Sequence, residues 1–258
     1  MILSVKNLSV GYGAQTVVEN INFDLKRGEI LAIVGESGSG KSTVLKAING
    51  LLGRNGRIIN GSITFDGNDI TCLNAHQRRK LAGRAISMIF QSSAASFCPI
   101  RTVGDQIYEA VRAHTDWSEK KFRSRAVEIM HKINLDPSAL DEYPFRLSGG
   151  MAQRAGILAA TILEPKLLLA DEPTSALDSV TQVSVVKELL NLRRREGVSI
   201  VIVTHHMGVA KFIADKILIM KNGRAVELGS NEQIFNRPST DYTKDLLRAV
   251  PKFKPVAA

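Results

Sequence analysis

The chain opens on alternation. Ile2, Val5, Leu8 and Val10 precede a Gly11-Tyr12-Gly13 turn, and Val17, Val18, Ile21, Phe23 and Leu25 follow it, so the first 25 residues predict short antiparallel strands. After Arg27-Gly28-Glu29 the pattern changes. Ile30-Leu31-Ala32-Ile33-Val34 is uninterrupted and apolar, as expected of a strand covered on both faces. Lys166 to Ala170 and Ser199 to Val203 have the same character, and residues 179 to 195 between them read as a helix closed by Gly197. Continuous apolar strands joined through a helix predict a parallel sheet. Ile58 to Phe65, then Asp66-Gly67, predicts another strand and a tight turn, while Thr43 to Ile48 has helical spacing. From Ala75 to Ala160 the chain reads as mostly helical. There Ala126, Val127, Ile129, Met130 and Ile133 recur at helical spacing until Asn134-Leu135-Asp136-Pro137 ends the run. Pro251 to Ala258, with two prolines and two lysines, is expected to be a loose tail.

Composition narrows the class. With 258 residues, 44% hydrophobic and 23% charged, the chain has material for a sizeable core, and disorder is excluded as its main state. The formal net charge of +9 points to an anionic partner, whether nucleotide, nucleic acid or membrane surface, or to a solvated basic surface. Cys72 and Cys98 form no CxxC pair and cannot make a disulfide framework. No signal-peptide pattern is visible at the start, and no run approaches the roughly 18 apolar residues of a bilayer span.

Two segments carry chemistry. Gly35-Glu36-Ser37-Gly38-Ser39-Gly40-Lys41-Ser42 follows a predicted buried strand and, with Thr43, opens a helix, which is the setting of a phosphate-binding loop. Its glycines let backbone N–H groups turn inward around phosphate oxygens, and the helix dipole adds to the attraction. Lys41 is expected at the β- and γ-phosphates and the Ser42 hydroxyl at magnesium. The second segment, Leu167-Leu168-Leu169-Ala170-Asp171-Glu172, ends a strand in two acids. Asp171 is placed to hold magnesium through water, and Glu172 to polarise an attacking water as general base. Together they predict nucleotide hydrolysis.

Arg146-Leu147-Ser148-Gly149-Gly150-Met151 lies before the acidic strand end. It resembles the LSGGQ signature of ABC-type ATPases, with Met151 where Gln is usual; Ser148 and the glycines also suit a plain helix N-cap. The resemblance spans Leu3 to Pro251. It implies an α/β fold, an ABC-type ATPase cassette with a P-loop parallel-sheet core, an N-terminal antiparallel β layer and an inserted helical subdomain. A single domain over 1–258 is expected, with 1–90 and 160–250 as core and β layer and 91–159 as helical subdomain. It also implies that Ser148, Gly149, Gly150 and Met151 contact ATP bound by an opposing subunit in a head-to-tail nucleotide-sandwich dimer. Tyr12 matches the aromatic that stacks on adenine, although it also reads as a turn tyrosine. Gln91 matches the glutamine that senses magnesium and faces the membrane partner. Asp178 in Ser175-Ala176-Leu177-Asp178 matches the loop at the dimer interface, or is a helix N-cap. His205 matches the switch histidine at the γ-phosphate, which would act with Glu172 in catalysis.

Glu36 to Ser42, Met151, Thr102-Val103-Gly104-Asp105-Gln106-Ile107, Val226-Glu227-Leu228-Gly229, Ile234-Phe235-Asn236 and Tyr242-Thr243-Lys244-Asp245-Leu246-Leu247 resemble the peptide/nickel uptake branch. That implies an ATP- and magnesium-dependent subunit on the cytoplasmic membrane face. Its partners would be a second ATPase subunit and two transmembrane permease subunits, with an extracytoplasmic substrate-binding protein involved indirectly and no nucleic acid. A soluble ABC-type ATPase acting on nucleic acid or ribosomes is the alternative; such members carry zinc modules, long coiled coils or two cassettes, and this sequence has none. Three departures stand out. His206 replaces the usual Asp, Phe97-Cys98-Pro99 replaces Leu-Asn-Pro, and no cysteine-bearing extension follows Pro251. The last tilts the expected cargo toward nickel or a metal chelate over a peptide.

Overall fold

The computed structural model describes residues 1–175 and 177–249; Ala176 and the expected tail from Pro251 lie outside the described residues. In chain order the elements are β1 (Leu3–Tyr12), β2 (Gln15–Leu25), β3 (Ile30–Val34), α1 (Lys41–Asn49), β4 (Gly56–Phe65), β5 (Asn68–Asp69), α2 (Ala75–Leu81) and β6 (Ile86–Ile89). Then follow α3 (Ser93–Ser96), α4 (Val103–Arg112), α5 (Glu119–Lys132) and α6 (Gly149–Thr161). The chain continues through β7 (Leu167–Asp171), α7 (Ser179–Glu196), β8 (Ser199–Thr204), α8 (Met207–Ile213), β9 (Lys216–Lys221), β10 (Arg224–Ser230), α9 (Asn231–Asn236) and α10 (Asp241–Arg248).

The strands form an antiparallel sheet, β2-β1-β4-β5, and a six-stranded sheet, β10-β9-β3-β8-β7-β6, parallel except for β10. The expected turn at Gly11-Tyr12-Gly13 moves by one step: Tyr12 pairs with Gln15 at the end of the ladder, and Gly13-Ala14 turns the chain. Tyr12 is therefore a strand-end residue. The Asp66-Gly67 turn forms as expected, with φ of 49° and 83°, the positive pair of a type I′ hairpin. Strand β6 falls at Ile86-Ser87-Met88-Ile89-Phe90, which reads as strand-like within the mostly helical stretch, and takes the sheet edge beside β7. The hairpin of β9 and β10 is not foreseen by the pattern reading. Strand β9 pairs with β3 and so is internal to the sheet.

Uninterrupted apolar strands make sense because the parallel sheet is covered on both sides. Leu31, Ile33, Leu167, Leu169, Val201 and Val203 face one core, shared with the antiparallel layer and with Val44, Leu45 and Ile48 of α1. Their alternates Ile30, Ala32, Leu168, Ala170, Ile200 and Ile202 face the other, shared with α4 to α8. Helix α1 is thus clamped between two sheets. Truncating a clamped side chain leaves a cavity, so Leu45→Ala, at a fully buried position, is expected to cost about 2–5 kcal/mol in urea unfolding. A loss below about 1 kcal/mol would contradict tight packing there.

Candidate active site

Four neighbouring parallel strands deliver their C-terminal ends to one edge. Val34 of β3 pairs with Thr204 of β8, Val203 with Asp171 of β7, and Ala170 with Ile89 of β6. The residues that follow these ends are the phosphate loop, Glu172, His205 and Gln91, so the crevice beyond the strand ends collects them.

The loop's shape depends on close backbone approach. A Cβ on Gly35 would lie 2.2 Å from the Met220 carbonyl oxygen, and one on Gly40 2.9 Å from that of Val17. Gly40 also holds φ of 79°, which side chains disfavour. The Gly223 N–H donates to Ser39 O at 3.0 Å, so β2 and the β9–β10 hairpin form the backing of the loop. Glu36, Ser37 and Gly38 are exposed, while Ser39 is buried with its hydroxyl unpartnered among the described residues.

Lys41 is the first residue of α1. Its buried ammonium donates to the carbonyls of Gly35 and Glu36, both at 2.9 Å. Burial lowers its pKa, opposed by the charges of Glu172 and Asp171. Ser42 Oγ donates to Asp171 Oδ1 at 2.7 Å, and Thr43 follows half-buried. Burial pushes the Asp171 carboxyl up, with the Ser42 hydrogen bond opposing. A hydroxyl beside a buried carboxylate supplies oxygen donors suited to a hard divalent ion such as magnesium.

Glu172 has φ of 44°, an uncommon conformation for a residue with a long side chain and one that costs on the order of 1–3 kcal/mol. Its N–H is held by Val203 O at 2.9 Å. That turn aims the carboxylate at two groups: Oε1 lies 3.2 Å from His205 Nδ1, and Gln91 Nε2 donates to Oε2 at 3.4 Å. The rings of His205 and His206 lie 4.0 Å apart between centroids, tilted by 42°. Burial and His205 both lower the His206 pKa, against an opposing pull from Glu172.

The remaining sequence-predicted residues lie apart from this group. Ser148 caps α6, accepting the Met151 N–H at 3.2 Å. Ser148 and Gly149 are exposed, whereas the Met151 side chain packs against the core. Gly150 fits against Thr181, where a Cβ would meet Cγ2 at 3.1 Å. Helix α6 is fastened to α7 by Arg154, which donates to Glu188 Oε1 at 3.1 Å and to Ser184 Oγ at 3.0 Å. Asp178 caps α7, accepting the N–H groups of Val180 and Thr181, both at 3.0 Å, and the Thr181 hydroxyl at 2.6 Å. Among the described residues no hydrogen bond or ion pair joins 148–151 to the phosphate loop. Tyr12, half-buried, sits against Gly56. An open cleft of about 790 Å³ between the end of α1, β4 and α2 contains none of these residues. At the Phe97-Cys98-Pro99 departure, Cys98 exchanges backbone hydrogen bonds with the Gln106 side chain at 2.7 and 3.0 Å, which ties this loop to α4. Sequence reading missed Val17, Met220 and Gly223. They act through backbone atoms, and the only signal is a turn, Asn222-Gly223, that says nothing of what it touches.

Residues 18–175 match the family described as ABC transporter. This chain belongs to that family. It is similar to the dipeptide transport ATP-binding protein DppD of Escherichia coli (strain K12), 41% identical over 98% of this chain and 79% of the relative. It is also similar to the metal-staphylopine import system ATP-binding protein CntD of Staphylococcus aureus (strain Mu50), 39% identical over 97% of this chain and 94% of the relative. A dimeric ATP-binding cassette in a post-hydrolysis state, bound to ADP and phosphate, superimposes with a TM-score of 0.78 at 28% identity, covering 89% of this chain and 98% of that one. The ABC transporter fold expected from the motifs is the one observed, an α/β cassette with a parallel sheet and an antiparallel layer.

In this ABC transporter chain the Glu172 carboxylate favours charged His206. NMR titration should place the His206 midpoint below the usual histidine value, and Glu172→Gln should lower it further. An unchanged or raised midpoint in the variant would contradict the arrangement.

Proposed function

We propose that this chain is the ATP-hydrolysing subunit of an importer for peptides or metal chelates. The observation that carries the reading is the strained turn at Glu172, which holds a carboxylate between His205 and Gln91 at the strand edge that also bears Lys41, Ser42 and Asp171. The loop from Gly35 to Thr43 wraps the triphosphate with backbone N–H groups, and Lys41 exchanges its carbonyl partners for phosphate oxygens. Tyr12 stacks on adenine. Ser42, Gln91 and Asp171 would hold magnesium, which when bound would neutralise phosphate charge. Glu172 accepts a proton from the attacking water, and His205 fixes the carboxylate and faces the γ-phosphate.

The exposed start of α6, unconnected to its own phosphate loop, supports a second half-site. Ser148, Gly149, Gly150 and the backbone of Met151 serve ATP held by a second ATPase subunit, with Asp178 at the same interface. Because Ser148 already caps α6, binding there adds a phosphate to N–H groups that the cap leaves free. The helices of 91–159 form the lobe that meets two permease subunits, and Phe90 and Ile100 leave apolar surface uncovered near Gln91 and Cys98. Among the described residues no helix is long and apolar enough to cross a membrane, in keeping with attachment at the cytoplasmic face through those partners. An extracytoplasmic binding protein would hand cargo to the permeases. The peptide and metal-chelate choices follow the printed activities of the relatives.

In the assembled complex Glu172→Gln is expected to retain ATP and lose about 10²–10⁴-fold in turnover. Near-normal hydrolysis would sink the general-base assignment. Cargo is decided by uptake of labelled dipeptide, nickel and metal chelate in cells with and without this subunit. Loss of none of the three would refute an importer of this class.

A further inference from the structure

The open cleft between the end of α1, β4 and α2 lies apart from the active-site residues and has a one-sided chemistry. Arg57, Arg78 and Arg79 line it together with the side-chain amides of Asn49 and Asn60, and no Asp or Glu is in its walls. The neighbouring acid, Asp69, is already engaged, accepting the Thr71 N–H at 2.7 Å. The surrounding cations are also unneutralised. Arg54, Arg57, Arg79, Lys80 and Arg84 are all exposed, and among the described residues none of them joins an ion pair. Like charges gathered in a concave wall concentrate positive potential there and draw in anions.

Arg78 gives the cleft a fixed donor. Its Nη1 donates to Ile48 O at 2.8 Å and its Nη2 to Thr71 O at 3.4 Å, which pins the guanidinium between the end of α1 and the segment after β5. Gly50 makes room for it, since a Cβ there would lie 2.9 Å from both Cδ and Nε of Arg78. The cleft is also amphipathic. Leu51 and Ile59 line it and stay 47% and 49% exposed. A small soluble anion needs only the arginines. An acidic phospholipid complements both features, with phosphate for the arginines and glycerol and acyl carbons for Leu51 and Ile59. The location agrees with that occupant. Asn49 in the cleft wall reaches Met88 Sδ at 3.8 Å, and Met88 lines a second groove with Phe90 and Phe97. A single contact therefore separates the basic cleft from the apolar surface assigned above to the permeases.

We propose that this cleft binds the headgroup of an acidic phospholipid at the membrane surface, with Arg57, Arg78 and Arg79 holding the phosphate and Leu51 and Ile59 resting on the apolar part of the lipid. The inference rests on the reading of this chain as a membrane-attached subunit. The test is flotation of the full chain with vesicles of phosphatidylcholine alone and with vesicles in which a quarter of the lipid is phosphatidylglycerol. Binding is expected to the second vesicle only, and to weaken as salt screens the charges. Arg57→Gln combined with Arg79→Gln should weaken it about 30-fold, or about 5-fold for each charge, with ATP affinity and thermal midpoint unchanged. Lys120→Gln combined with Lys121→Gln, which removes two exposed charges from α5, should leave it unaltered. Equal losses from the two pairs would mean that net charge alone holds the vesicle, and would overturn the cleft as the site. Glycerol phosphate, which lacks acyl chains, should bind far more weakly in calorimetry; binding of equal strength would assign the cleft to a soluble anion and overturn the lipid. An arginine variant that still floats but no longer co-purifies with permease subunits would assign the cleft to an acidic protein segment and overturn it as well. A wild-type chain that fails to float while uptake still depends on it would refute the lipid site alone and leave the importer reading standing.

Discussion

Helix α1 is held between two sheets, and the rest of the working end depends on that clamp. Val44, Leu45 and Ile48 are buried between the antiparallel layer and one face of the parallel sheet, so the helix cannot shift along its axis without breaking contacts on both sides. Its first turn therefore emerges at a fixed height relative to the strand ends. Lys41 reaches the carbonyls of Gly35 and Glu36 from there, and Ser42 reaches Asp171 on a different strand. The hydroxyl–carboxylate pair depends on the register of β3, β8 and β7, because a one-residue slip would turn Asp171 to the opposite face.

Charge is handled by burial and backbone at this edge. Lys41 is desolvated yet kept among carbonyl oxygens and two carboxylates, so its cation has a place before any phosphate arrives. Glu172 is oriented by a left-handed turn that its N–H bond to Val203 helps to hold. Strain of this kind persists only where the surroundings over-determine it, and here the surroundings are the paired strands β7 and β8. The +9 charge that first suggested an anionic partner has one natural destination in this pocket.

The half-site on α6 follows a different logic. Its N-cap satisfies its own helix, and Arg154 fastens that helix to α7, whose own cap is Asp178. The two caps that the family resemblance places at a subunit interface are thus carried on helices bonded to each other. A movement of one would carry the other. The departure at His206 fits the same edge: its ring lies tilted against His205 and feels Glu172, so its imidazole occupies space beside the proposed catalytic pair.

Local chemistry made much of this legible in the sequence. Gly35 to Ser42, Asp171-Glu172 and Ser148 to Met151 are short segments whose function lies in their own backbone and side chains, and the apolar runs at β3, β7 and β8 announce their burial. Tyr12 was legible as a candidate but not as the last residue of a strand, because the one-step position of a turn depends on cross-strand pairing. The β9–β10 hairpin was missed, and with it the backing of the loop by Met220, Gly223 and Val17. Those contacts are carbonyl oxygens and amide hydrogens, identical in every residue type, so no side-chain pattern encodes them. The meeting of Glu172 with His205 and Gln91 likewise joins segments distant along the chain. The sequence alone determined which groups were available; only sheet order and register decided which of them touch, because contacts between distant segments arise when the chain closes on itself.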